Sequence, residues 1–150
     1  GAKNILLVAD SSDKLLKKIK QRKKYISKEF EFLCSNIYNK DFVHKLQILG
    51  LKVKLNFVYR TDAKKTMSNN LVRALKGQRI KVATFYSEFT LRVFLSLTKK
   101  YGISKHTLSQ IQFLCLSERI GKKLAKKNLT VSWPSKPKQR ELLALLSIIY

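Results

Sequence analysis

Six polar side chains recur at one kind of place in this sequence. Ser11, Ser35, Asn36, Thr61, Ser87 and Ser117 each follow an apolar run, close to the point where the chain turns. A hydroxyl or carboxamide there can accept a hydrogen bond from the free amides of a following helix's first turn and so cap that helix. The same hydroxyls and amides, aimed outward, suit the carboxylates or phosphates of a ligand. Both readings stand for each residue. Ser87, between Tyr86 and Glu88, poses the choice most sharply.

Other chemistries lack their residues. No turn carries the glycines that let a backbone close around a nucleotide's phosphates. A hydrolase nucleophile at Ser87 would need glycines where Tyr86 and Glu88 stand. His44 falls in a helical pattern and His106 in a polar connection, neither with a second ligand at helical spacing, so no metal is expected, and no cofactor. Lys138 and Arg140 fit an anion site or a solvated first turn equally well. Cys34 and Cys115 lie in apolar runs without metal-ligand spacing and read as buried structural thiols of a reducing compartment.

The elements that must position these residues follow from hydrophobic period. Val82–Tyr86 is too short and too rich in β-formers for a helix, and it reads as a strand buried on both faces. From Glu88 onward Thr90, Phe94, Leu97 and Tyr101 share one stripe with Leu91 and Leu95 beside it, the broad apolar face of a helix against a sheet. Similar steps run through the chain. Lys3–Ala9 reads as a strand, followed by a helix bearing Leu15, Leu16 and Ile19, whose basic end at Lys17–Lys24 is either solvated or a nucleic-acid patch. Glu29–Cys34 is a strand, and the helix from Lys40 turns Phe42, Val43, Leu46 and Leu49 inward and closes at Gly50. Val53–Tyr59 is the third strand, with Val53, Leu55, Phe57 and Tyr59 on one face. After the polar stretch Thr61–Ser68, Asn69 and Asn70 cap a helix with Leu71, Val72 and Leu75 inward, closed by Gly77. Lys99–Ser109 is a polar connection, Ile111–Leu116 the fifth strand, and Ile120 and Leu124 belong to a lysine-coated helix. Leu129–Trp133 is the sixth strand, and Arg140–Tyr150 a closing helix.

Six steps of about 25 residues imply an α/β fold of repeated βα units in open, mostly parallel sheets. Right-handed crossovers then bring the six polar residues to one rim. With 45% hydrophobic content, 150 residues can bury one ordinary core, as one domain or two small lobes. No apolar run reaches the roughly 18 to 20 residues of a membrane span, and the start has no signal-peptide layout, so a soluble cytoplasmic protein without a membrane partner is expected. The 32 Lys plus Arg against 9 Asp plus Glu leave a net charge of +23. Such a charge gathers polyanions, whether nucleic acid, membrane surface or poly-carboxylate metabolite, unless it is simply lysine coating the solvent faces. Phe30, Phe32, Phe57 and Phe85 read as core rather than as stacking platforms, which makes nucleic acid the weaker partner.

The order of the pieces resembles the C-terminal half to three-fifths of uroporphyrinogen-III synthase. The likeness lies in Cys34-Ser35-Asn36 before a helix, Gly50-Leu51-Lys52-Val53 leading to Val58-Tyr59-Arg60-Thr61, the strand end Phe85-Tyr86-Ser87, Phe113 to Leu124, and Val131 before a helix with Glu141, Leu142 and Leu145. The resemblance implies two flavodoxin-like α/β lobes, with residues 1–61 the later part of one and 62–150 the larger part of the other, and an active-site cleft between them. It implies a reaction in which the linear tetrapyrrole hydroxymethylbilane is cyclised and loses water, with the last ring inverted through a spirocyclic intermediate. That substrate carries eight carboxylates, which a surface of this charge suits. By the same resemblance Tyr59 is the candidate general acid for the departing hydroxyl, and Ser35, Asn36, Ser87, Ser117 and Arg119 are candidate substrate-binding residues. The sequence departs from the family at Ser35, where glycine is usual. It departs again at Ser117-Glu118-Arg119-Ile120-Gly121, where a Gly-Pro-x-Thr-Ala-like turn is usual and Arg119 would offset Glu118. A partner chain supplying the missing half is the remaining expectation, with or without catalysis.

Overall fold

The computed structural model describes residues 5–22 and 29–148, which fall in two compact units, Gly1–Asp62 and Ala63–Tyr150. Unit 1 contains α1 (Ser12–Lys20), β1 (Glu29–Ser35), α2 (Lys40–Ile48) and β2 (Lys52–Tyr59). β1 and β2 pair in parallel with Phe30 opposite Val53 and Phe32 opposite Leu55. Phe42, Leu46 and Leu51 form the buried centre of this unit, with Leu15, Leu16, Ile19, Phe30, Phe32 and Val53 packed on it. The opposite sheet face is polar at its start: Glu31 pairs with Lys54 at 3.6 Å and accepts from the Asn56 carboxamide at 2.9 Å. A bulge between Cys34 and Ser35 shifts the register, so that Ser35 stands opposite Tyr59.

Unit 2 contains α3 (Asn69–Lys76), β3 (Val82–Phe85), α4 (Glu88–Lys100), α5 (Lys105–Ser109), β4 (Gln112–Cys115), α6 (Glu118–Ala125), β5 (Val131–Ser132), α7 (Gln139–Ala144) and a 3₁₀ turn (Leu146–Ile148). Its sheet has the order β3-β4-β5, all parallel. The central strand is the most deeply buried: Phe113, Leu114 and Cys115 are each 0% exposed. Phe85, Phe94 and Phe113 meet ring to ring at 5.2 to 6.3 Å between centroids. Burial pushes the Cys115 thiol up to about 11, which keeps it protonated and inert at neutral pH.

The α/β class and the parallel open sheets agree with the sequence. Several elements differ. Residues 5–9 pair with no strand among the described residues and leave Ile5, Leu6 and Val8 exposed, so the expected first strand is absent there; Lys3 and Asn4, like Lys23, Lys24 and the last two residues of the expected closing helix, lie outside the described residues. Ser68, not Asn69 or Asn70, caps α3, its hydroxyl accepting from the Leu71 amide at 3.3 Å. The polar connection after α4 contains α5, which buries Thr107 and Leu108. Thr84 is exposed while Phe85 is buried, so β3 is covered on one face and not, as expected, on both. Phe57 is 60% exposed, in the exposed last three residues of β2, with Tyr38 as its ring neighbour at 6.1 Å.

Phe113→Ala should destabilise unit 2 by about 3–5 kcal/mol, since it leaves a cavity at the centre of three aromatic contacts. Urea denaturation followed by circular dichroism measures this; a loss below about 1 kcal/mol would contradict the central place of Phe113.

Candidate functional site

In unit 1 the candidate residues gather at the C-terminal ends of β1 and β2. Ser35 is 3% exposed, and its hydroxyl is occupied within its own turn, donating to the Ile37 carbonyl at 2.7 Å and accepting from the Ile37 amide at 3.1 Å. It shapes the turn and does not face solvent. Asn36 reaches across to the other strand: its oxygen accepts from the Thr61 amide at 2.7 Å and its nitrogen donates to the Thr61 carbonyl at 3.1 Å. A side-chain amide thus continues the strand pairing where the backbone ladder stops, holding the segment Tyr59-Arg60-Thr61 in place. Arg60 pairs with Asp62 at 2.9 Å. Tyr59 is 63% exposed on this pinned strand end, so its phenol is presented to solvent from a fixed backbone.

In unit 2 the capping question at Ser87 resolves toward the helix. Its hydroxyl accepts from the Thr90 amide at 3.1 Å and shares a 2.8 Å hydrogen bond with the Thr90 hydroxyl. Ser11, Asn39, Ser68 and Ser104 cap their helices in the same way. Ser117 stands at the same position on α6 and makes no side-chain cap. The amides of Ile120 and Gly121 return to the Ser117 carbonyl, each at 3.1 Å, and those of Glu118 and Arg119 have no protein acceptor among the described residues. This helix start therefore keeps both its hydroxyl and two amides open.

The same helix start lines a cleft of about 360 Å³ with Trp133, Pro134, Ser135 and Pro137. Gly121 makes the cleft's wall possible. A Cβ built there would stand 2.2 Å from the Trp133 ring, so only glycine lets the indole lie on the first turn of α6. Arg119 Nε lies 3.9 Å from Glu88, and Lys123 donates a hydrogen bond to the same carboxylate, joining α4 to α6. Glu118 is offset by Lys122 at 2.9 Å rather than by Arg119. The hydrogen bond from Lys123, aided by the charges of Lys123, Arg119 and Arg92 and opposed by partial burial, holds the Glu88 carboxyl below its ordinary value.

The structure thus brings Ser35, Asn36 and Tyr59 together in unit 1, and Ser117 and Arg119 together in unit 2, with Ser87 beside Glu88 on the neighbouring helix start. Trp133, Gly121, Glu88 and Lys123 are neighbours that sequence reasoning missed; a single tryptophan and a glycine inside a lysine-rich helix were the available signals. No group of three or more His, Cys, Asp or Glu that could hold a metal occurs among the described residues. None of their helices is long and apolar enough to cross a membrane.

A family model described as uroporphyrinogen-III synthase HemD matches residues 2–144. Among solved structures, uroporphyrinogen-III synthetase from Helicobacter pylori 26695 superposes with a TM-score of 0.61 at 16% identity, over 81% of this chain and 54% of that one. The chain thus spans about half the length of that structure. No curated protein sequence matches.

Gly121→Ala should force the indole off α6, at a cost of about 1–3 kcal/mol, and should shift the emission of the sole tryptophan. Unchanged emission and stability would contradict the close approach. Glu88 also predicts a pH response. Because its folded value is depressed, its contribution is present above about pH 4.5 and is lost as pH falls through that lower folded value. Glu88→Gln should remove that component from the acid side of the stability profile, below about pH 4.5; an unaltered profile would show that the link between α4 and α6 carries no stability.

Proposed function

This chain belongs to the uroporphyrinogen-III synthase family, and we propose that it takes part in haem biosynthesis by cyclising hydroxymethylbilane, with loss of water and inversion of the last ring. The observation that carries the reading is the open start of α6. Ser117, the unpaired amides of Glu118 and Arg119, and the guanidinium of Arg119 converge beside the Trp133 cleft. A helix start with free amides favours a carboxylate through the partial positive charge of its N–H groups, and a nearby arginine adds a charged fork. A linear tetrapyrrole with eight carboxylates is the ligand class this suits. Arg119 is held only loosely by Glu88, at 3.9 Å on the surface, so exchange onto a substrate carboxylate costs little.

Tyr59 is assigned as the general acid. Its phenol donates a proton to the departing hydroxyl, the carbon–oxygen bond breaks, and the hydroxyl leaves as water. Asn36 is a positioning residue, acting through the Thr61 backbone, and Ser35 shapes the turn between them. Ser87 contributes through the start of α4, with its hydroxyl engaged in capping. Residues 1–61 are read as the later part of one lobe and 62–150 as the larger part of the other. Two free cysteines, both buried, fit a cytoplasmic enzyme.

The test is turnover of enzymatically generated hydroxymethylbilane with analysis of the product isomers. The chain should form the inverted isomer, and Tyr59→Phe should lower kcat by about a hundredfold or more with a smaller change in KM. Formation of only the uninverted isomer, which arises spontaneously, would overturn catalysis by this chain. A Tyr59→Phe variant of full activity would overturn the assignment of the acid.

A further inference from the structure

Four helices end in the same hydrogen-bonded corner before their next element. After α2, α3, α4 and α6, an amide three residues past the helix end, or four after α6, returns to a carbonyl of the last turn five residues back: Leu51 to Leu46, Arg79 to Ala74, Ile103 to Thr98 and Leu129 to Leu124, at 2.9 to 3.4 Å. The residue before each of these is left-handed: Gly50, Gln78, Gly102 and Asn128, with φ of 82°, 53°, 64° and 56°. This corner is stable when glycine or asparagine takes the left-handed position and an apolar side chain follows it into the core. Leu51, Ile103 and Leu129 are buried as that rule requires.

The corner after α3 breaks the rule twice. Gln78 takes the left-handed position, although Gly77 is its immediate neighbour and has an ordinary φ of -81°. Arg79 stands exposed where the other three corners bury a hydrophobic side chain. Its guanidinium Nε lies 3.7 Å from where a Cβ on Gly77 would be, an ordinary van der Waals distance, so the arginine packs over the glycine without requiring it. Arg79 lines an open cleft of about 540 Å³ with Asn70, Arg73 and Ala74. Asn70 orients Arg73 by accepting from its guanidinium at 3.0 Å. Neither arginine has a carboxylate partner among the described residues. The three acidic side chains of unit 2, Glu88, Glu118 and Glu141, all lie in the first turns of helices that follow strands, at the other end of the βα steps. The helix-end carbonyls that would repel an anion are themselves engaged: Arg73, Ala74 and Leu75 accept from Gly77, Arg79 and Gln78.

A local rule broken without a gain in packing marks a site kept for another purpose. We propose that the corner after α3 binds a phosphate group of a small phosphorylated molecule, held by Arg73 and Arg79. Two planar guanidinium forks with no carboxylate partner among the described residues match the tetrahedral oxygens of phosphate and bind it bidentately, which the scattered lysines do not. The site lies at the N-terminal end of β3, away from the helix starts assigned to the tetrapyrrole, so it holds a second ligand and not part of the first.

The test uses the full chain, labelled with ¹⁵N, titrated with inorganic phosphate and with pyrophosphate at constant ionic strength. Saturable shifts should centre on residues 70–79, with pyrophosphate the tighter ligand. Arg79→Leu restores the apolar corner found after the other helices, so it should fold at least as stably yet bind at least tenfold more weakly. Arg73→Gln should weaken binding similarly. Shifts spread over the lysine surface, equal binding by Arg79→Leu, or no shift at millimolar phosphate would each overturn the site. A single-stranded oligonucleotide forms the comparison arm: tight binding of it centred on 70–79, with none of phosphate, would assign the corner to a nucleic-acid backbone and overturn the proposal.

Discussion

Parallel pairing is the constraint from which the rest follows. A parallel strand cannot return through a tight hairpin, so each step requires a crossover, here supplied by helices. All three strand pairings among the described residues are parallel. Every helix that follows a strand therefore starts at the strands' C-terminal ends, and every helix that precedes one finishes at their N-terminal ends. In unit 2 the central strand β4 holds this arrangement, with Phe113, Leu114 and Cys115 fully enclosed and a neighbouring strand on either side. The two kinds of helix end then present different chemistry: free amides at one, carbonyls and a turning backbone at the other.

Each end type has a common solution and departures from it. Ser11, Asn39, Ser68, Ser87 and Ser104 satisfy their helix starts with their own side chains; Lys138, before the short α7, has no hydroxyl or carboxamide to do so, and Ser117 has the hydroxyl but does not use it. Leu51, Ile103 and Leu129 seal their helix ends with a buried side chain; Arg79 does not. The exceptions carry the functional reading because the repeated cases establish what packing and capping alone would produce. Capping and binding, which looked like one question asked of every strand-end hydroxyl, separate residue by residue once the hydrogen bonds are known.

Much of this was legible in the sequence, and the parts that were not share a physical cause. The long-period elements α2, α4 and α6 and the apolar strand β1 were readable because burial imposes a strict period on them. The family resemblance was readable from the ordered succession of short pieces. Residues 5–9 misled because an apolar run reports the tendency to be a strand, while a strand exists only with a partner. The short helix α5 was hidden in a polar segment because two buried residues, Thr107 and Leu108, are too few to show a period. Phe57 was taken for core because alternation places it on the face of Val53 and Leu55, yet the last three residues of β2 are all exposed. Arg119 was read as the neutraliser of Glu118 from adjacency in sequence, whereas on a helix the partner lies four residues on, at Lys122. Arg79 carried no signal alone; its meaning comes from comparison with three other corners.

The most direct measurement asks whether, and where, a tetrapyrrole bearing eight carboxylates, the ligand class proposed above, touches this chain. The aromatic, oxidised form of the cyclised product keeps those carboxylates and is stable enough to titrate into ¹⁵N-labelled protein at constant ionic strength. Shifts at residues 117–121, the Trp133 indole and residues 59–61, with residues 70–79 unmoved, are the expected result. Shifts distributed over the lysine-rich surface in proportion to charge, or centred on residues 70–79, would contradict it.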